Sequence, residues 1–376
     1  MNDLKFAFRQ LLKNPGFTAV AVLTLALGIG ANTAIFSVVE TVLLRPLSFL
    51  EPERLFVVDL KGGPGTLSGG DFEDIKENSK VFSHVAVFGT GYFNLSGEAA
   101  PERITGSQVS HGFFAALGVA PMMGRGFLPE EDQSGNEKVV ILSHGLWQRW
   151  FGGDRNVIGR AVKLNGESYT VLGVMPPTFD FPNQSVLWVP LALSPASFRD
   201  YTGYFLKMIA RLKPDVAAAK ALAELSTISK RVESNYPEYR KRWTWTLTPM
   251  HEHLVGHVRT TLLVLLGAVG FVVCIACTNV ANLLLTLAAR RHKEMSIRAA
   301  LGATRRRLIR QSLTESLLLA GLGGTMGLVL AYWSINLLNS ILPVSISRSG
   351  PTAINGTVLW FTLGISVLAE IGRAHV

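Results

Sequence analysis

Three stretches of the chain carry no Asp, Glu, Lys or Arg: Phe17 to Val39, Thr260 to Ala289, and Ser316 to Pro343. Each exceeds the roughly 20 apolar residues that cross the hydrocarbon core of a bilayer as a helix. Three such runs with charged edges point to membrane spans rather than buried helices of a soluble protein. The pattern predicts transmembrane helices over 17–39, 260–289 and 312–339. After an external loop at 340–357, a fourth apolar run starts at Val358 and reaches only Ala369 before Glu370. A half-span ending in Glu, Arg and His would leave charge in the bilayer. Residues 358–369 are therefore expected to be the start of a truncated fourth span. EIGRAHV, residues 370–376, resembles a translated sequencing adapter and is expected to be an artefactual tail on a longer permease.

Between the first two spans, residues 40–259 have ordinary soluble composition and enough length for two subdomains. Leu55 to Leu60 reads as a strand, Asp71 to Asn78 as a short helix and Val81 to Phe88 as a strand. The pattern returns near the end. Phe205 to Leu212 is strand-like, and Trp243 to Thr248 alternates as a strand. Between them Pro214 is expected to open an Ala-rich helix with Val216, Leu222, Leu225, Ile228 and Val232 on one face. These two βαβ-like units flank a β-rich insertion at 91–200, whose clearest element is a hairpin over Ala161 to Val174 turned by Asn165 and Gly166 as a type I′ turn. The fold class is a membrane α-helical protein with a large α+β extracytoplasmic domain.

Charge fixes the orientation. Met1 to Gly16 holds Lys5, Arg9 and Lys13 against Asp3, and Ala289 to Gln311 holds eight Lys or Arg against Glu294; together these clusters account for the whole net charge of +9. Both sit at membrane edges, where the positive-inside rule places them in the cytoplasm. This argues against nucleic acid as the reason for the basic balance. With both clusters inside, the large domain lies outside. The first apolar run is too long for a signal peptide and no A-x-A cleavage site with a polar exit follows it, so it reads as an uncleaved anchor. In 1–16, Leu4, Phe8, Leu11 and Leu12 recur at helical spacing, which suits an amphipathic helix on membrane lipids, broken by Pro15 and Gly16.

Several motifs lose their chemistry in this context. Cys274 and Cys277 form C-x-x-C in mid-span among Val, Ile and Ala, where a thiolate is costly, so they read as small packing residues. His251, His253 and His257 lack a carboxylate-rich set beyond Glu252, so no metal is assigned. Ser143 and His144 show no third partner and read as the start of a helix holding Leu146, Trp147 and Trp150. Gly28 and Gly30 lie inside an apolar helix rather than after a strand, so they are not a dinucleotide loop. Gly30 with Ala34, and Gly323 with Gly327, have small-xxx-small spacing for close helix packing, within the chain or between two copies. The sequence has no G-x-x-x-x-G-K-[ST]. No catalytic residue and no cofactor are assigned.

The cytoplasmic loop 290–311 is the most informative short segment. The second span is expected to continue as a helix to Leu301, with Glu294 and Arg298 at i, i+4, and Gly302 stops it before a new helix starts at Thr304. Ile297, Ala300, Leu301 and Ala303 give this hairpin apolar surface, while Arg305, Arg306, Arg307 and Arg310 can meet anionic headgroups. On the residues alone, a docking surface and a mere topology determinant fit equally.

KFAFRQLLKNPGFTAVAVLTLALGIGANTAIFSVV at the start, LWQRWFGGDRNVIGRAVKLNGESYTVLGVMPP in the middle, and VANLLLTLAARRHKEMSIRAALGATRRRLIRQSLTESLLLAGLGG after the second span resemble the MacB and FtsX family of ABC permeases. The likeness runs from Asn2 to about Ala369 and is strongest to the acidobacterial duplicated orphan permeases. It implies a MacB-like periplasmic core with porter and Sabre-like parts, in the bacterial inner membrane. It also implies an ATPase on a separate polypeptide docking on the coupling loop, here Glu294, Ile297, Arg298, Ala300, Leu301, Gly302 and Ala303. Further implied partners are a second copy or second permease unit and a periplasmic adaptor. The activity implied is mechanotransmission that exports a drug, peptide or lipoprotein; the alternative is an FtsX-like scaffold that regulates an outer partner such as a cell-wall hydrolase.

Overall fold

The computed structural model describes residues 8–9, 11–44, 47, 49–97, 101–182, 184–238, 243–300, 305–341 and 355–374. The chain separates into two compact units, Met1–Arg45 with His257–Val376, and Pro46–Gly256.

The first unit is helical. Helix α1 (Pro15–Val39) begins at a break at Asn14, with Pro15 in the first turn, where its missing N–H costs nothing. The helical path runs on past Val39 through a π-helical turn, Glu40–Leu44, in which Glu40 is buried, although the sequence reading gave residue 40 to the external domain. Three helices are long and apolar enough to cross a membrane, at Pro15–Leu44, Met250–Asn282 and Leu317–Leu337.

The second unit is built on one ten-stranded sheet. Its elements are β1 (Leu55–Lys61), helix α2 (Gly69–Asn78), β2 (Phe82–Ser96), β3 (Glu102–Val109), helix α3 (Phe113–Leu117), β4 (Met123–Gly124), β5 (Val139–Leu142), helix α4 (His144–Phe151), β6 (Ala161–Leu164), β7 (Glu167–Val174), β8 (Leu187–Pro190), β9 (Lys207–Leu212), helix α5 (Ala218–Asn235) and β10 (Thr244–Pro249). The strand order is β10-β1-β9-β2-β3-β8-β5-β7-β4, with β6 against β2 and β7.

The two βαβ-like units interleave: β9 lies between β1 and β2, and β1 lies between β9 and β10, all four antiparallel to their neighbours. Each split unit fills the gap of the other, which is the interlocked ferredoxin-like arrangement. The strands of the β-rich insertion join the same sheet. Strand β2 runs to Ser96 rather than ending at Phe88, and carries the sheet continuously through Gly91 into the insertion strands.

Helices α2 and α5 cover one face of the ferredoxin-like half through Phe72, Ile75, Leu225, Ile228 and Val232. An aromatic cluster with Phe88, Phe113, Phe114, Phe181 and Trp188 fills the other face. Helix α5 starts at Ala218, not at Pro214, because Asp215 takes a left-handed φ of 62° that ends the preceding turn. Its inner face is Ala221, Leu225, Ile228 and Val232, while Leu222 is 44% exposed. The hairpin over β6 and β7 has positive φ at Asn165 (52°) and Gly166 (85°), as a type I′ turn requires.

Candidate functional site

The site is built around α1, together with α6 (Met250–Ala300), α7 (Arg305–Ile341) and α8 (Gly356–Ala374) of the helical unit. Its closest approach is between α1 and α7. A Cβ placed on Gly30 would lie 2.9 Å from the Gly327 carbonyl oxygen, and one on Gly327 would lie 3.2 Å from the Ala26 oxygen and from Gly30 N. Gly323 faces Leu25 in the same seam, and Ala34 is half-buried. The sequence spacing grouped these glycines along single helices; the structure brings Gly30 and Gly327 together across two.

Asn32, Thr33 and Thr362 find partners inside this bundle without water, as a hydrocarbon setting demands. Asn32 Nδ2 donates to the Val269 oxygen of α6 at 2.7 Å and to the Gly28 oxygen at 3.1 Å. The hydroxyls of Thr33 and Thr362 of α8 lie 3.0 Å apart, one donating to the other, and each also lies within hydrogen-bond distance of the carbonyl four residues back on its own helix. Phe36 and Phe361 stack beside them, with centroids 3.7 Å apart. These contacts escaped the sequence reading, although an amide in the middle of a charge-free run is itself a signal. Cys274 is exposed and Cys277 half-buried, which corrects the packing role given to Cys274: only a narrow stripe of α6 faces the bundle.

The predicted docking residues divide into two groups. Glu294, Ile297, Arg298 and Ala300 lie on the helical backbone at the end of α6, while Leu301, Gly302 and Ala303 fall outside the described residues. Helix α7 then starts at Arg305.

In the outer lobe the buried charged groups have structural partners. Arg211 Nε donates to the Ala116 oxygen at 2.8 Å, near the C-terminus of α3, and burial followed by the charge of Arg54 lowers its pKa. Tyr201 Oη donates to Asp74 Oδ2 at 2.7 Å, pinning the 191–206 segment onto α2. That segment packs so tightly that a Cβ at Gly69 or Gly70 would collide with Ser197 or with the Tyr201 ring. Burial raises the pKa of both Asp74 and Tyr201. His253 Nδ1 lies 3.6 Å from Asp59 Oδ2, and among the described residues no group of three or more metal-ligating side chains occurs. Ser143 caps α4 by accepting from Leu146 N at 3.1 Å.

The model of the MacB-like periplasmic core domain matches residues 18–228, more than half of the chain. The chain belongs to the MacB/FtsX family of permeases. The FtsX-like permease C-terminal model matches residues 266–371. Among relatives, the macrolide export ATP-binding/permease protein MacB of Chlorobium luteolum is 24% identical over 344 residues, covering 86% of this chain and 51% of that protein. The pyoverdine export ATP-binding/permease protein PvdT of Pseudomonas syringae pv. tomato is 26% identical over 226 residues, covering 58% of this chain and 33% of that protein. The chain thus spans about half the length of the first of these relatives and a third of the second. The periplasmic region of MacB from Actinobacillus actinomycetemcomitans superposes with a TM-score of 0.41 at 15% identity, covering 55% of this chain and 92% of that one. Membership of this family and the apolar helices make the chain a membrane protein with an extracytoplasmic domain.

Proposed function

We propose that this chain is the permease subunit of an ABC-type system in the bacterial inner membrane, working by mechanotransmission. A separate ATPase docks on the loop 290–311, and its cycle moves the outer lobes without cargo passing through the helix bundle. The observation that carries this reading is the union of a MacB-like core at 18–228 with an FtsX-like permease region at 266–371. Relatives named for macrolide and pyoverdine export favour an exported small molecule, peptide or lipoprotein. The domain division follows as amphipathic segment, first span, outer core, second span, coupling loop and third span, with two copies or two permease units flanking the ATPases.

Purification of the full chain from its native membrane tests the reading. An ABC ATPase should accompany it in stoichiometric amount; a chain that remains intact and carries no ATPase would refute the proposal.

A further inference from the structure

We propose that Asn32 is a pin that sets the register of α6 against α1, so that sliding of α6 along α1 must first break one hydrogen bond. The inference rests on the permease reading only for its purpose, since α6 is the helix that ends at the coupling loop.

The α1–α6 seam is smooth. On α6 its residues are Val269, Val273, Ala276 and Val280, spaced i, i+4, i+7 and i+11 as a single stripe; Val269, Ala276 and Val280 are buried. On α1 the stripe meets Gly28, where an added Cβ would lie 3.3 Å from the Ala276 Cβ and 3.7 Å from Val273 Cα. The rest of α6 faces outward: Phe271 is 72% exposed, Val264 68% and Ile275 60%. Small and β-branched side chains against a glycine offer no large knob to lock one helix along the other, so van der Waals contact changes little as α6 shifts.

Direction comes from the amide. Asn32 Nδ2 donates across the seam to the Val269 oxygen, at 2.7 Å. The second bond of the same nitrogen, to the Gly28 oxygen, holds the amide across the seam. A buried amide in a helix seam resists sliding in this way, because a shift by a fraction of a turn takes the Val269 oxygen out of its reach before the next carbonyl arrives. In a membrane helix such a bond is weak enough to break and re-form in a working cycle. Neighbouring seams differ. On α7, Gly327 and Gly323 interlock with Ile29 and Leu25, and α8 is held by Thr362 together with the Phe36–Phe361 stack. On α6 the Asn32 bond crosses a surface of small and β-branched side chains.

A cross-linking ladder in native membranes tests the pin. In a background with Cys274→Ser and Cys277→Ser, Gly28→Cys is combined in turn with Val273→Cys, Ala276→Cys and Val280→Cys, and disulfide formation is followed after a mild oxidant. With Asn32 present, the Ala276→Cys pair should form at least about threefold faster than the Val280→Cys pair. Asn32→Leu keeps the volume and loses the donor, and should flatten that preference. Asn32→Gln keeps an amide and should restore it. A Leu25→Cys/Gly323→Cys pair reports the α1–α7 seam and should not change. The same preference in Asn32→Leu as with Asn32 would overturn the proposal. So would loss of both seams together in Asn32→Leu and Asn32→Gln, which would make Asn32 a residue needed for folding alone. No ATPase is required, so failure of the ladder sinks the pin, whereas a missing ATPase sinks the permease reading and leaves the ladder result standing.

Discussion

Gly30 and Gly327 meet backbone to backbone, with the position of a Gly30 methyl only 2.9 Å from the Gly327 carbonyl oxygen. The neighbour here is main chain, which cannot swing aside, so helix α1 or α7 must move to admit a side chain. Gly30→Val is therefore expected to destabilise the bundle by about 1–3 kcal/mol, the usual range for overpacking. Gly267, whose added Cβ would meet nothing within 4 Å, serves as the control. Thermal unfolding of the full chain in detergent should show a lower midpoint for Gly30→Val and little change for Gly267→Val.

Orientation is the second prediction. The two basic clusters put both ends of the first two spans' cytoplasmic sides on one side of the membrane. A reporter active only outside should work when fused after Pro190 and after Gly70, and stay silent after Arg306. The reverse pattern would invert the topology.

The third concerns Asp74, whose pKa is raised by burial first, with the Tyr201 hydrogen bond and Arg231 opposing. A carboxyl with a folded pKa above its unfolded value binds its proton more tightly when folded. Its contribution to stability is therefore fully present below the unfolded pKa and is lost as pH rises through the folded one. Relative to Asp74→Asn, the wild-type chain should gain unfolding midpoint as the pH falls from neutral towards the ordinary carboxyl value of 3.8. A midpoint difference that does not vary with pH would contradict this.

The spans were legible in the sequence because a bilayer imposes one simple demand, twenty residues without charge, that few soluble segments meet. The strands were legible for the same local reason, but not their partners. Val57 pairs with Ile209 on one side and Thr248 on the other, and no local pattern carries contacts across such separations. Helix α5 shows a subtler failure: Ala221 and Leu222 are neighbours on the sequence, and the larger was taken as the inner one. The position of the helix relative to the sheet decided for Ala221, in phase with Leu225, Ile228 and Val232. Asn32 was readable as an amide in an apolar run, yet its partner at Val269 is a backbone oxygen, for which side-chain identity leaves no trace.

The account stands most directly on the contact between the loop 290–311 and an ATPase. Ile297→Asp and Leu301→Asp each place a carboxylate on the apolar surface proposed to be covered there, where it would be buried without a partner. The measurement is the amount of ATPase that co-purifies with each full-length variant, beside the amount of variant inserted in the membrane. The account predicts insertion at the wild-type level with the ATPase lost from both variants; undiminished ATPase on both would contradict it.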